Sequence, residues 1–157
     1  MIDYVGMVQE FMLAHYGPSA VPRRPGLPTS DVTLLRLRLM AEEFGELVCA
    51  LHDGDLEAVA DGVADLLYVV IGTGIAYGLP VDRIFAEVHR SNMSKGRRPL
   101  APGAKYAKSA KGPGYSPPLL APLLRAAQRP RKPTPYRATK DADKTRRGLP
   151  PVRHRPT

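Results

Sequence analysis

The order of apolar and polar positions along the chain predicts four helices with short connections. Apolar residues recur at helical spacing, and Gly or Pro follows each periodic segment. The four predicted helices run from Ile2 to Tyr16, from Asp31 to His52, from Asp55 (as cap) to about Tyr77, and from Val81 to about Asn92. Because no strand-like alternation extends beyond a few residues, we expect an all-α fold, a four-helix bundle.

The second predicted helix is apolar on more than one side. A seam of apolar residues repeats at spacings of three and four, as in a coiled coil, and comprises Leu34, Leu37, Ala41, Phe44, Val48 and Leu51. The opposite arc carries Glu42, Glu43 and Glu46. Leu35 and Leu39 share that arc, which is unusual for a plain solvent face. We expect the seam to pack inside a bundle.

The third predicted helix repeats this arrangement. An apolar stripe lies on one side, and Asp61, Asp65 and Gly72 lie on the other. The two helices therefore offer five carboxylates, which repel one another unless they are protonated or bind a cation. Clustered carboxylate oxygens suit Mg²⁺, which also takes oxygens from substrate phosphates. The alternative is an ordinary solvated acidic face.

Charge divides the chain into two parts. Residues 1–95 carry 7 Lys and Arg against 13 Asp and Glu, whereas residues 96–157 carry 16 against 2, so the net charge of +8 comes from the C-terminal part. Twelve of the 17 prolines also lie in residues 96–157. We therefore expect a folded domain over residues 1–120 and a disordered, basic, Pro- and Arg-rich tail over residues 121–157.

Composition excludes several classes of protein. The single cysteine, Cys49, cannot form an internal disulfide, and no basic, signal-like segment opens the sequence. The longest nearly apolar run, Leu66 to Val81, is shorter than the roughly 20 residues that cross a bilayer. We therefore expect a cytoplasmic protein without a membrane partner.

The acidic motifs resemble those of a known enzyme superfamily. Glu42-Glu43-Phe-Gly-Glu46, followed by Asp61-Gly-Val-Ala-Asp65-Leu-Leu-Tyr68, is similar to the MazG-like all-α nucleoside triphosphate pyrophosphohydrolases, whose signature is Glu-Glu-x-x-Glu and then Glu-x-x-Asp. The segments Val88-His-Arg-Ser-Asn92-Met-Ser-Lys95 and Lys111-Gly-Pro-Gly-Tyr115 resemble the phage and bacterial branch that is like phosphoribosyl-ATP pyrophosphohydrolase. The resemblance covers roughly residues 1–120.

The resemblance implies an enzyme that hydrolyses a nucleoside triphosphate to the monophosphate and pyrophosphate, with Mg²⁺ or Mn²⁺ as cofactor. It implies Glu43, Glu46, Asp61 and Asp65 as metal ligands, and Glu42 as either a further ligand or the general base. The chain departs from the signature at Gly62, where the family has a glutamate. This departure puts the number of metal ions in question.

The resemblance also implies a substrate-binding set and an oligomer. Asn92 and Lys95 would contact the nucleotide, or else simply end the fourth helix. Lys111 and Tyr115 lie in a Gly- and Pro-rich loop that would cover the site, or else be an exposed loop. Tyr68 is a core residue or a wall against the base. Members of the family are dimers or dimers of dimers, so oligomerisation would complete the bundle.

A different class of function remains open. The alternative is a non-catalytic helical oligomer that binds nucleotide, with Gly62 as the defect and the basic tail contacting nucleic acid or an acidic partner. Only Tyr136 is aromatic in residues 121–157, so the tail offers little for base stacking. The sequence leaves base and sugar specificity, oligomer size and biological setting undetermined.

Overall fold

A computed structural model describes residues 2–97 and 109–129. The described elements are α1 (Tyr4–Tyr16), a short 3-10 helix (Pro18–Ala20), α2 (Ser30–Asp53), α3 (Leu56–Ala76), α4 (Val81–Met93), β1 (Gly96–Arg97), β2 (Ser109–Ala110) and α5 (Leu120–Gln128). The two short strands pair antiparallel, with Gly96 opposite Ala110. The prediction of an all-α fold is confirmed, and the bounds of α1 to α4 lie within a few residues of those predicted.

Local side-chain and backbone interactions explain where the helices begin and end. The Asp3 carboxylate accepts a hydrogen bond from the Gly6 amide at 2.9 Å, which caps α1. Asp55 caps α3 in the same way, accepting from the Glu57 amide at 3.0 Å. Gly54 ends α2 with a φ of 73°, in the left-handed region that glycine tolerates best.

The single chain encloses a small core at one end of the α2–α3 hairpin. Its buried residues come from α1 and from the C-terminal half of α3, and they are Val8, Met12, Ile71, Ile75 and Ala76. Each such side chain stabilises the fold by about 1.5–3 kcal/mol when it is fully buried. α1 therefore packs on α3 away from the turn that joins α2 to α3.

The coiled-coil-like seam of α2 is not part of this core. Leu37, Phe44 and Leu51 are 56%, 58% and 60% exposed. The expectation that the seam packs inside a bundle is therefore not met within the single chain. On α3, Val63 and Val70 are exposed as well, so the hairpin presents apolar side chains from both helices.

By length and composition alone, α3 is apolar enough to cross a membrane. The core helix of a helical bundle passes the same test, and α3 carries Asp61 and Asp65 in its first half. Since α3 packs along α2 and against α1, we treat it as a bundle helix.

The C-terminal segment differs from the prediction. Residues 121–128 belong to α5, so the predicted disorder from residue 121 is wrong for them. Their sequence includes Leu123 and Leu124, which with Leu120 give the helix an apolar side. The rest of the predicted tail, residues 130–157, lies outside the described residues.

Candidate functional site

The antiparallel packing of α2 on α3 decides which polar residues meet. Near the hairpin turn, Gly62 lies against Leu47, and a Cβ atom at Gly62 would be 3.2 Å from the Leu47 Cα. Farther along, Glu43 faces Asp65. Two turns beyond that pair, Arg36 lies against Gly72, with Nη1 3.1 Å from where a Gly72 Cβ would be. One continuous interface between the helices thus holds all three pairs.

The five predicted carboxylates gather around Glu43. Burial raises the pKa of Glu43, and the nearby charges of Asp65, Glu46, Glu42 and Asp61 raise it further, in that order. Glu43 is half-buried, and the other four carboxylates are exposed. The predicted acidic residues of both helices are therefore close enough for their charges to act on Glu43.

This cluster has no cationic partner in the part of the chain that the structure describes. The ion pair found there, between Arg90 and Glu87, is on α4. Nor are three Asp, Glu, His or Cys side chains of residues 2–97 and 109–129 arranged closely enough to hold a metal ion. The cluster is a region of uncompensated negative charge, which chemically suits a hard divalent cation.

A groove of about 600 Å³ runs along the outer side of the cluster. The residues of α2 that line it include Glu42, Gly45, Glu46 and Cys49. Asp55 and Ala58 close its far end. A ligand in this groove would meet two of the five carboxylates directly.

The predicted substrate-binding residues lie at the end of α4. Lys95 Nζ donates a hydrogen bond to Asn92 Oδ1 at 2.7 Å, and the Lys95 amide donates to the Asn92 carbonyl at 3.1 Å. These two residues therefore bind each other, as an ordinary helix C-terminus would. No contact given by the described residues joins them to the carboxylates.

Lys111 and Tyr115 also form a pair of their own. The Lys111 Nζ lies 5.1 Å from the centre of the Tyr115 ring, within the range of a cation–π interaction. The next residue, Ser116, donates its amide to Ser94 Oγ at 2.9 Å, which ties this loop to the end of α4. The structure thus groups all four predicted substrate-binding residues near that end of α4.

Sequence reasoning missed Arg36. This residue is 8% exposed, its Nε has no hydrogen-bond partner, and Nη2 points to the Met12 sulfur at 4.0 Å. Burial lowers the pKa of Arg36, and nearby Tyr16 partly opposes that shift. A signal was present, because Arg36 precedes Glu43 by seven residues and therefore shares its helix face.

Aromatic residues of α1 pack near the part of α3 that lies between the carboxylate cluster and Arg36. Phe11 packs edge-to-face on Tyr68, with ring centres 5.7 Å apart, and stacks on His15 at 4.3 Å. Tyr68 is half-buried and packs against the core, which agrees with the core interpretation of this residue. Because it follows Asp65 by three residues, it also lies beside the carboxylate cluster.

Comparison with known proteins agrees with the motifs. Residues 20–92 match the family described as phosphoribosyl-ATP pyrophosphohydrolase. An uncharacterized protein of Acanthamoeba polyphaga mimivirus is 46% identical over 48 residues, which are 31% of this chain and 19% of that protein. This relative is therefore much longer than the matched stretch.

The matched residues contain α2, α3 and nearly all of α4, and so the whole carboxylate cluster. This family match supports a pyrophosphohydrolase activity on nucleotides, and members of the family generally depend on a divalent metal. Residues 20–92 match the phosphoribosyl-ATP pyrophosphohydrolase domain, and that family belongs to the MazG-like all-α nucleoside triphosphate pyrophosphohydrolase superfamily.

Proposed function

We propose that this protein hydrolyses a nucleoside triphosphate to the nucleoside monophosphate and pyrophosphate, with Mg²⁺ or Mn²⁺ as cofactor. The observation that carries the proposal is the set of five carboxylates on two packed antiparallel helices, within a domain that matches a pyrophosphohydrolase family. Burial and the charges of the other four carboxylates raise the pKa of Glu43, and a bound cation would offset that repulsion. The substrate is a standard or non-standard nucleotide, since nothing in the cluster selects the base.

The proposed roles follow from the positions of the carboxylates. Glu43, Glu46 and Asp65 would hold the divalent cation, with Asp61 adding a ligand from the same face of α3. A bound divalent cation neutralises charge on the phosphate oxygens. Glu42, which is exposed in the groove, would accept a proton from the attacking water. The water oxygen bonds to the α-phosphorus, and the bond from that phosphorus to the leaving pyrophosphate breaks.

The position of Gly62 limits this ligand set. The family's glutamate is absent there, and the space beside Gly62 is filled by Leu47. The metal ligands must therefore come from the remaining carboxylates, and Asp61 is the nearest substitute in sequence. This supports a site with fewer protein ligands than the family signature provides.

We also propose that copies of the chain associate, as a dimer or a dimer of dimers, in the cytoplasm. The exposed apolar seam of α2 and the exposed valines of α3 support this proposal, because apolar patches of this kind mark interfaces. A second copy packed along the hairpin would also form a second wall of the open groove beside Glu42 and Glu46. The free cysteine, Cys49, suits a reducing compartment.

The experiment that tests the activity is a panel of nucleoside and deoxynucleoside triphosphates, with phosphoribosyl-ATP included, assayed for pyrophosphate release with Mg²⁺ or Mn²⁺. Glu46→Ala should abolish release, whereas Glu10→Ala, an exposed glutamate of α1, should not change it. Release by the unaltered protein that survives Glu46→Ala would reject the assigned site.

A second candidate function is nucleotide binding without cleavage. The space beside Gly62, filled by Leu47 where the family has a metal-binding glutamate, favours this candidate. Binding of nucleotides in the panel with no release of pyrophosphate would select it. The basic tail would then be the next part of the chain to test for contacts with nucleic acid.

A further inference from the structure

A buried cation without an anion is the most unusual feature of the described residues. Arg36 is more than nine-tenths buried, and Nε has no partner. The Met12 sulfur, a weak acceptor, lies 4.0 Å from Nη2. A guanidinium is donor-only, so burial without oxygen acceptors costs stability and needs a reason beyond folding.

The structure has made space for this guanidinium. Gly72 lies where the side chain passes α3, and a Cβ there would be 3.1 Å from Nη1. Val8 and Met12 of α1 border the same point, at 3.6 and 3.7 Å from that position. A glycine inside a helix is less favourable than alanine, so a second unfavourable residue lies beside the first.

The distance from Arg36 to the carboxylates limits what it can bind. Seven residues separate Arg36 from Glu43, and seven separate Asp65 from Gly72, which is about 10 Å along each helix. That is too far for Arg36 to share the phosphate oxygens that a cation on Glu43 and Asp65 would hold. Arg36 would therefore meet another part of the same nucleotide.

The surface near Arg36 is aromatic. Tyr16 is close enough to influence its pKa, and Phe11 joins Tyr16 to Tyr68, with ring centres 5.9 and 5.7 Å away. Phe11 and Tyr16 are 38% and 58% exposed. Exposed aromatic faces beside a hydrogen-bond donor are the combination that binds a single base by stacking and edge contacts.

We propose that Arg36 is a substrate-binding residue that donates hydrogen bonds to the base of the nucleotide. A planar guanidinium binds best to two adjacent acceptors. Guanine presents O6 and N7 in this way, and cytosine presents O2 and N3. Adenine and uracil offer no such pair of adjacent acceptors on one edge, so the preferred substrates carry guanine or cytosine. This inference rests on the proposed nucleotide hydrolysis.

The test compares the unaltered protein with Arg36→Met, which keeps the length of the side chain and removes its charge. Kinetics with GTP, CTP, ATP and UTP should show that the unaltered protein prefers GTP or CTP. In Arg36→Met, KM for the preferred substrate should rise at least about tenfold while kcat stays within about threefold, and the preference should disappear. Arg83→Met, an exposed arginine of α4, is the matched control and should keep KM and preference.

Stability provides a readout that separates binding from a structural role. Arg36→Met should melt at the same temperature as the unaltered protein or higher, because it removes an unpaired buried charge. A large fall in melting temperature with unchanged KM and preference would assign Arg36 to folding and overturn the proposal. A preference of the unaltered protein for ATP or UTP would overturn it as well.

Binding of monophosphates tests Arg36 without hydrolysis. In metal-free buffer, GMP or CMP should raise the melting temperature of the unaltered protein more than AMP or UMP do. This measurement needs no variant to fold, and it applies even if the panel shows no turnover. Equal shifts with all four would reject the assignment of Arg36, whereas absent turnover alone would reject only the proposed activity.

Discussion

The two faces of α2 differ in a way that reverses the usual relation between polarity and burial. The inner face packs on α3 and carries Arg36 and Glu43, whereas the outer face is an apolar seam that the single chain leaves exposed. The inner face holds the groups with perturbed pKa values. The outer face holds the apolar area with which a second copy would associate.

The magnitudes support this division. Burying a Leu or Phe side chain contributes about 1.5–3 kcal/mol, so several seam residues together can exceed the roughly 4–15 kcal/mol cost of association. The polar inner face offers no comparable gain, and Arg36 lacks even a compensating ion pair among the described residues. We infer that the seam contributes stability through assembly and that the inner face provides the chemistry.

The largest expected effect comes from charging the seam. Phe44→Asp should dissociate the proposed oligomer and, because the groove would lose the wall that a second copy is proposed to form, reduce pyrophosphate release by at least about a hundredfold. Light scattering after size exclusion measures the assembly. Leu27→Asp, an exposed loop leucine outside the seam, should leave assembly and release intact. A Phe44→Asp protein that keeps its oligomeric state would remove the seam from the interface.

The next effect concerns the inner face. Asp65→Asn removes the charge that most affects the pKa of Glu43 and a proposed metal ligand, so release should fall by at least about a hundredfold without loss of assembly. Asp31→Asn, at the start of α2, is the control. Titration with Mn²⁺ should show weaker binding in Asp65→Asn alone. Equal metal affinity in the two variants would contradict the role of Asp65.

Gly62 tests whether the inner face tolerates the family's residue. Gly62→Glu should not raise turnover, because the new Cβ would meet the Leu47 backbone at 3.2 Å, and overpacking of this kind costs about 1–3 kcal/mol. Thermal unfolding should show a lower melting temperature. Gly45→Ala, where nothing lies within 4 Å, should stabilise α2 by up to about 1 kcal/mol. A gain in turnover with unchanged stability would show that Leu47 moves aside.

The smallest effect lies outside both faces. The Arg90 hydrogen bonds and the Leu119 amide lower the pKa of Glu87 to about 2 from its usual 4.5. The contribution of this carboxylate to the free energy of unfolding is therefore present above pH 4.5 and is lost as the pH falls towards 2. Glu87→Gln mimics the protonated group. Hydrogen exchange at pH 6 should be faster in α5 of this variant, with assembly and release unchanged. Unchanged exchange would show that Glu87 does not hold α5.

Local patterns were sufficient to predict much of this molecule. The periodicity of α1 to α4, with cap residues such as Asp3, Asp55 and Gly54, predicts the helix bounds because these signals act within a few residues of each helix end. The motif residues Glu43 and Asp65 were also predicted to meet. Helix spacing is regular enough that one hairpin places equivalent faces together.

Other features depended on contacts that no local pattern records. Residues 121–128 belong to a stretch whose basic, proline-rich composition predicts disorder, yet α5 forms there. The Leu119 amide at its start donates to Glu87 on α4, a partner 32 residues away. Arg36 is buried because α1 covers it, and the helix wheel of α2 alone does not show where α1 lies.

The sequence by itself determined the helices, their caps, the two acidic motifs and the resemblance to a family, since each depends on residues close together along the chain. Only the tertiary structure decided which face of α2 turns to α3. A helix that is apolar on two sides can be buried on either, and the choice is made by long-range packing of glycines and small side chains against a neighbour. Here Gly62 against Leu47 and Gly72 against Arg36 make that choice, which leaves the seam exposed and the carboxylates gathered around Glu43.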